Sequence, residues 1–266
     1  MRCIFCKKDS RNSLSVEHII PESLGNKLHT LPPGVVCDSC NNYFSREVEK
    51  PFLDSESVRS LRFEQALASK RGRIPVVNGI LLPQLAPAIM TRDVTGRSFG
   101  SLAVPEAAAA AILQSPDTTF MVPMVNGGLS DSIVTRFLSK IAIEVIASRL
   151  LSARCELDGF IDETQLDSMR NHARRGTTPK WPYSVRRIYD GNKRWADGGN
   201  SEFQVVHEYD VLATEWGEWF LVVAIFGVEF AINCGGPEIE GYERWLTENN
   251  NVSPLYGGNN GRLHCR

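Results

Sequence analysis

Apolar residues follow two different patterns along the chain. Up to about residue 55 they form short runs, at 16–20 and 34–37, separated by Pro/Gly breaks at 21–25 and 32–34. A helix is predicted over 39–50, with Asp38 as its cap and Pro51 as its stop. The order is strand, long loop, strand, helix. Beyond this segment, 72–85 reads as strands between turns, and Pro105 opens a short alanine-rich helix. Residues 130–151 form the clearest amphipathic helix, with Val134, Phe137, Leu138, Ile141, Val145 and Ile146 on one stripe. A second helix is predicted over 163–175, with Asp162 and Gln165 as a capping box and Gly176 as its carboxy-terminal cap. From Phe203 the period changes to two, through Val205, His207, Tyr209 and Val211. A continuous apolar strand at 219–226 reads as central, a third strand follows at 228–232, and a helix is predicted over 237–246. The expected fold is α+β: a small metal-bound module at 1–55, a larger α+β domain with an antiparallel sheet at 56–250, and a flexible tail at 251–266.

Composition narrows the class. The 266 residues are 42% hydrophobic and 23% charged, close to globular averages, and the net charge of −2 excludes a uniformly basic nucleic-acid coat. No apolar run reaches bilayer-spanning length, and Lys7, Lys8 and Asp9 follow the first residues too soon for a signal peptide, so a cytosolic protein with no membrane partner is expected.

Cysteine usage is more specific. Four of the seven cysteines form two Cys-x-x-Cys pairs, Cys3/Cys6 and Cys37/Cys40. Four thiolates suit tetrahedral Zn²⁺ with no open position, which makes the site structural, and a module this small needs such a staple. Two redox dithiols are the competing reading, but no larger α/β sheet surrounds the pairs. Spacing alone does not separate zinc from iron.

Between the pairs lie Glu17 and His18, and directly after the fourth cysteine comes Asn41. A metal joining Cys6 to Cys37 draws these residues together. A carboxylate and an amide oxygen are hard ligands for Mg²⁺ or Mn²⁺, and an imidazole of near-neutral pKa can deprotonate water. The combination Cys-x-x-Cys, Glu-His-Ile-Ile-Pro, Leu-Gly-Asn and Val-Cys-x-x-Cys-Asn-Asn resembles HNH endonucleases of the ββα-metal (His-Me finger) superfamily, in its four-cysteine zinc-containing form. The resemblance covers about the first 55 residues. It implies a divalent-metal-dependent hydrolase of DNA phosphodiesters, with Glu17 and Asn41 as ligands of the catalytic ion and His18 as general base. Asn26, or a nearby residue, would match the residue that steadies the histidine loop. Glutamate replaces the commoner aspartate, and Ser45 stands where some subfamilies have a histidine. By analogy, the biology is restriction, defence or mobile-element function. Two rival readings stay open: a non-catalytic zinc-dependent nucleic-acid-binding protein, and an effector or toxin nuclease with a protein partner.

Charge is polarised. Between residues 170 and 195, Arg170, Arg174, Arg175, Lys180, Arg186, Arg187, Lys193 and Arg194 face only Asp190, a net +7, with Trp181, Tyr183, Tyr189 and Trp195 interleaved. This pattern suits DNA, without excluding RNA, through phosphate contacts and base stacking. A second basic stretch runs from Arg59 to Arg73. One nuclease unit cuts one strand, so double-strand cutting would require a homodimer. His29, His172, His207 and His264 have no setting like that of His18, and His207 reads as structural.

Overall fold

The computed structural model describes residues 1–93, 99–115, 117–122, 130–176, 180–196 and 202–256. The end of the expected tail, 257–266 with His264 and Cys265, lies outside them. The elements run β1 (Glu17–His18), β2 (Thr30–Leu31), α1 (Asp38–Phe44), a π-helical turn (Ser45–Glu49), α2 (Lys50–Asp54), α3 (Glu56–Glu64), β3 (Val77–Leu82), β4 (Ala86–Arg92), β5 (Phe99–Ala103), α4 (Glu106–Leu113), β6 (Thr119–Met121), α5 (Asp131–Ser152), α6 (Asp158–Asp162), α7 (Asp167–Arg175), β7 (Tyr183–Arg187), β8 (Trp195–Ala196), β9 (Glu202–Phe203), β10 (His207–Ala213), β11 (Trp219–Ile225), β12 (Val228–Asn233) and α8 (Glu240–Glu248). Helices and antiparallel sheets make the fold α+β, with the cysteines clustered at its amino terminus.

Two compact units emerge. One comprises Met1–Ile20, Asn26–Lys50 and Asp131–Arg266, and the other Pro21–Gly25 and Pro51–Ser130. Of the first fifty residues, all but Pro21–Gly25 thus group with Asp131–Arg266.

In the first unit, β1 pairs antiparallel with β2, Glu17 opposite Leu31 and His18 opposite Thr30. The second strand therefore lies earlier than the expected 34–37. Pro32 and Pro33 have no N–H for a ladder, and Gly34 turns the chain at φ +90°, where a Cβ would meet the Met1 sulfur. Asp38 does not cap α1. Its carboxylate accepts from the backbone N–H groups of Leu14 and Ser15 instead. Nor does Pro51 stop the helix. The π turn, closed by Lys50 N–H to Ser45 C=O, widens the backbone just before the proline, and helix continues to Asp54.

Helix α5 is the centre of this unit. Its apolar stripe packs toward α7 and toward the sheet ordered β10-β11-β12-β7, whose strand β11 is central and fully buried from Phe220 on. Its other side is covered too, by β2 and the π turn, so every residue from Val134 to Ala147 except Arg136 is buried, including Ser139, Lys140 and Glu144. Gly176 ends α7 in the left-handed region, as its position predicts. No helix among the described residues is long and apolar enough to cross a membrane.

The second unit is built on the antiparallel sheet β5-β4-β3-β6 with α3 against β3. Val77, Gly79 and Leu81 alternate inward along β3, and at Gly79 a Cβ would strike the Phe120 ring at 2.4 Å. The basic stretch from Arg59 onward lies on and after α3, where Arg62 is buried and Arg92 donates to the Phe63 carbonyl at 2.9 Å.

Candidate active site and metal centre

The four cysteine sulfurs lie within 4.8 Å of one another. Cys6 Sγ and Cys37 Sγ are 3.7 Å apart. A tetrahedron with metal–sulfur bonds of about 2.3 Å has edges of about 3.8 Å, so the set fits Zn²⁺. The Cys37 backbone N–H donates to Cys3 Sγ at 3.4 Å, which stabilises a thiolate there. A hydrogen bond from Cys40 holds Cys3 down at about 5 and pushes Cys40 far up, while burial raises Cys6. A cation drawn into the tetrahedron would displace the thiol protons. Among the described residues, this is the group of His, Cys, Asp and Glu side chains close enough together to hold a metal.

The knuckle is braced from α7. Arg170, 2% exposed, donates from Nε to the Ile4 carbonyl at 2.9 Å. It also reaches the Glu163 and Phe160 carbonyls at 2.8 and 2.5 Å and the Asp167 carboxylate at 2.7 Å. Ile4 sits between the first two cysteines, so this guanidinium fixes the loop that carries them. Arg170 is thus buried, where the sequence placed it on a basic surface. Arg170→Met is expected to lower stability by about 3–5 kcal/mol, since it orphans several buried acceptors. Denaturant unfolding checks this, and zinc should pass faster to a chromophoric chelator in the variant.

The strand β1 carries the expected catalytic pair. Glu17 is 4% exposed and His18 half-buried. Asn41, on α1, donates from Nδ2 to the Val16 carbonyl at 3.3 Å, which sets it beside β1. Asn26 is fully buried and clamps the loop that follows: Nδ2 donates to the Ile20 and His29 carbonyls at 2.7 and 2.9 Å. Its Oδ1 accepts from the N–H groups of Leu28 and His29 at 3.1 and 2.9 Å. One asparagine thereby replaces four bonds that a short irregular loop cannot make with itself.

Sequence reasoning missed what lies behind Glu17. Lys140 of α5, wholly buried, sets Nζ 2.7 Å from Glu17 Oε1, 2.8 Å from Glu49 Oε1, 2.9 Å from Glu144 Oε2 and 3.1 Å from the His18 carbonyl. Burial alone would lower the ammonium's pKa, but the three carboxylates outweigh it and hold Lys140 charged, well above an ordinary lysine. Burial pushes Glu144 up. The available signal was composition: only Ser139, Lys140 and Glu144 interrupt the apolar run from 137 to 147, the mark of a helix buried all round.

The basic segment divides into internal and exposed members. Arg186 lies across from Glu229 and bonds it at 2.5 Å, in a group that also includes Tyr242 and Ser253, so it ties the sheet together. Trp181 is buried and donates to the Asn233 carbonyl. Arg175, Lys180, Arg187, Lys193 and Arg194 are exposed and Arg174 is half-buried. Lys193 Nζ sits 3.9 Å above the Trp195 ring.

His29 and His207 meet edge to face at 5.3 Å, and His29 Nδ1 is 2.9 Å from the Tyr209 hydroxyl, docking the β2 end on β10. Burial, with His29 nearby, lowers His207 from 6.5 to about 4. Below about 6.5 the unfolded chain binds a proton that the folded chain refuses until about 4. His207 thus contributes up to about 3 kcal/mol above that range, lost as pH falls through it. Thermal melts from pH 7 to 4.5 should show His207→Gln with a shallower loss than the parent.

Residues 3–57 match the family model described as HNH endonuclease. No curated protein and no solved structure matches the chain. The amino-terminal segment thus matches the HNH endonuclease family and carries a four-cysteine cluster that fits zinc.

Proposed function

We propose that the protein is a divalent-metal-dependent endonuclease hydrolysing phosphodiester bonds in DNA. The supporting observation is that Glu17 and His18 on β1, and Asn41 bonded to the neighbouring Val16 carbonyl, lie in the segment that matches the nuclease family and carries the four-cysteine cluster. Glu17 and Asn41 offer hard oxygens that would hold Mg²⁺ or Mn²⁺, which supplies stabilisation of charge on the leaving 3′ oxygen. His18 takes the proton of the attacking water as its oxygen bonds to phosphorus. The P–O3′ bond breaks, giving a 5′ phosphate and, after protonation, a 3′ hydroxyl. Asn26 holds the loop after His18 in place. The exposed Arg175, Lys180, Arg187, Lys193 and Arg194 supply cations for phosphates.

The test is supercoiled plasmid incubated with zinc-loaded protein and Mg²⁺ or Mn²⁺. Nicked circles are expected with the parent, none with EDTA, and none with His18→Ala. Intact plasmid under every ion would leave a binding module without chemistry.

A further inference from the structure

We propose that Lys140, on α5, is the positioning residue that sets Glu17 for the divalent ion, so that the nuclease module is completed by a helix outside the matched segment. This rests on the reading of Glu17 as a metal ligand and adds the residue that governs it.

An ammonium has three protons, and four oxygens lie within 3.1 Å of Lys140 Nζ. An ion pair serving α5 alone would need only Glu144, one turn away on the same helix. Instead the ammonium is shared with β1 through Glu17 and the His18 carbonyl, and with the π turn through Glu49. It therefore touches both residues of the strand that carries the chemistry, at a carboxylate oxygen of one and the backbone of the other.

Energetics point the same way. Buried ion pairs are weak contributors to stability, because desolvation offsets attraction, and apolar replacements of similar volume often do as well. A lysine with no exposed surface among three carboxylates is a poor way to pack a helix. It is a good way to fix a carboxylate in one rotamer. The π turn reinforces this: without the extra residue in that turn, Glu49 would lie about 100° further round the helix.

The experiment measures Mn²⁺ binding alone, by calorimetry, on the full zinc-loaded chain. Lys140→Met is expected to weaken binding by about 10–100-fold, the usual effect of removing a group that orients a metal ligand, with zinc content unchanged. Lys140→Arg, which keeps the charge, should restore most of the affinity. In a Glu17→Gln background the same Lys140→Met change should have no further effect. A folded Lys140→Met protein that binds Mn²⁺ like the parent, or an equal loss in both backgrounds, overturns the proposal. Should Lys140→Met fail to fold, the parent labelled with ¹⁵N-lysine answers instead. The protected Lys140 ammonium resonance must shift on adding Mg²⁺, and a signal that stays still at saturation overturns the proposal. A parent that binds no Mn²⁺ sinks the reading of Glu17 itself. Binding that depends on Glu17 but ignores Lys140 sinks only the present inference.

Discussion

His18→Ala is expected to reduce plasmid cleavage by roughly 10²–10⁴-fold while zinc content and unfolding midpoint stay near the parent's. The separation follows from geometry. The backbone of His18 does the structural work, pairing with Thr30 and accepting the Lys140 ammonium at 3.1 Å, and alanine preserves both. The imidazole is half-buried, on a strand whose loop is fixed by Asn26, so its removal deletes a proton acceptor without opening the core. Rates measured against Mg²⁺ concentration check this. A variant that cuts as fast as the parent would move the general base elsewhere.

The second large effect concerns the thiolates. Cys37→Ser, or stripping the parent with a strong chelator, is expected to unfold the amino-terminal residues. Apparent zinc binding of roughly 10–16 kcal/mol is comparable to the roughly 5–15 kcal/mol of a typical domain. The module core is small: Ile4, Phe5, Ile19, Ile20, Leu31, Val35, Val36, Phe44 and Val48 are buried, with Phe5 and Phe44 rings 4.4 Å apart. Hydrogen exchange resolves the outcome by region. Amides of Ile4, Ile19 and Asn41 should lose protection, whereas those of β11, central in its own sheet, should keep much of theirs. Uniform protection after metal removal would show that the cysteines do not staple this segment.

What could be read in advance was chemistry that depends on residue type at short spacing. Two Cys-x-x-Cys pairs, Glu17-His18 and Asn41 announce themselves because ligation and proton transfer admit few side chains. The apolar stripe of α5 and the central position of β11 were legible from period alone. What was hidden depended on partners far along the chain. Lys140 and Glu144 look like a solvated i,i+4 pair, and only β1 and the π turn, folded onto them, make them internal. Arg170 and Arg186 carry the composition of a phosphate-binding surface, yet each satisfies buried oxygens, three carbonyls in one case and Glu229 in the other. Pro51 was a sound stop signal for an α-helix. It failed because a π turn precedes it, and no local rule foretold that turn.

Anomalous diffraction from crystals of the zinc-loaded protein soaked in Mn²⁺ tests the central claim most directly. A manganese peak is expected bonded to a Glu17 oxygen and the Asn41 amide oxygen, with His18 facing the open side and a separate zinc peak among Cys3, Cys6, Cys37 and Cys40. Manganese found elsewhere, or no manganese at a concentration that supports cleavage, would contradict it.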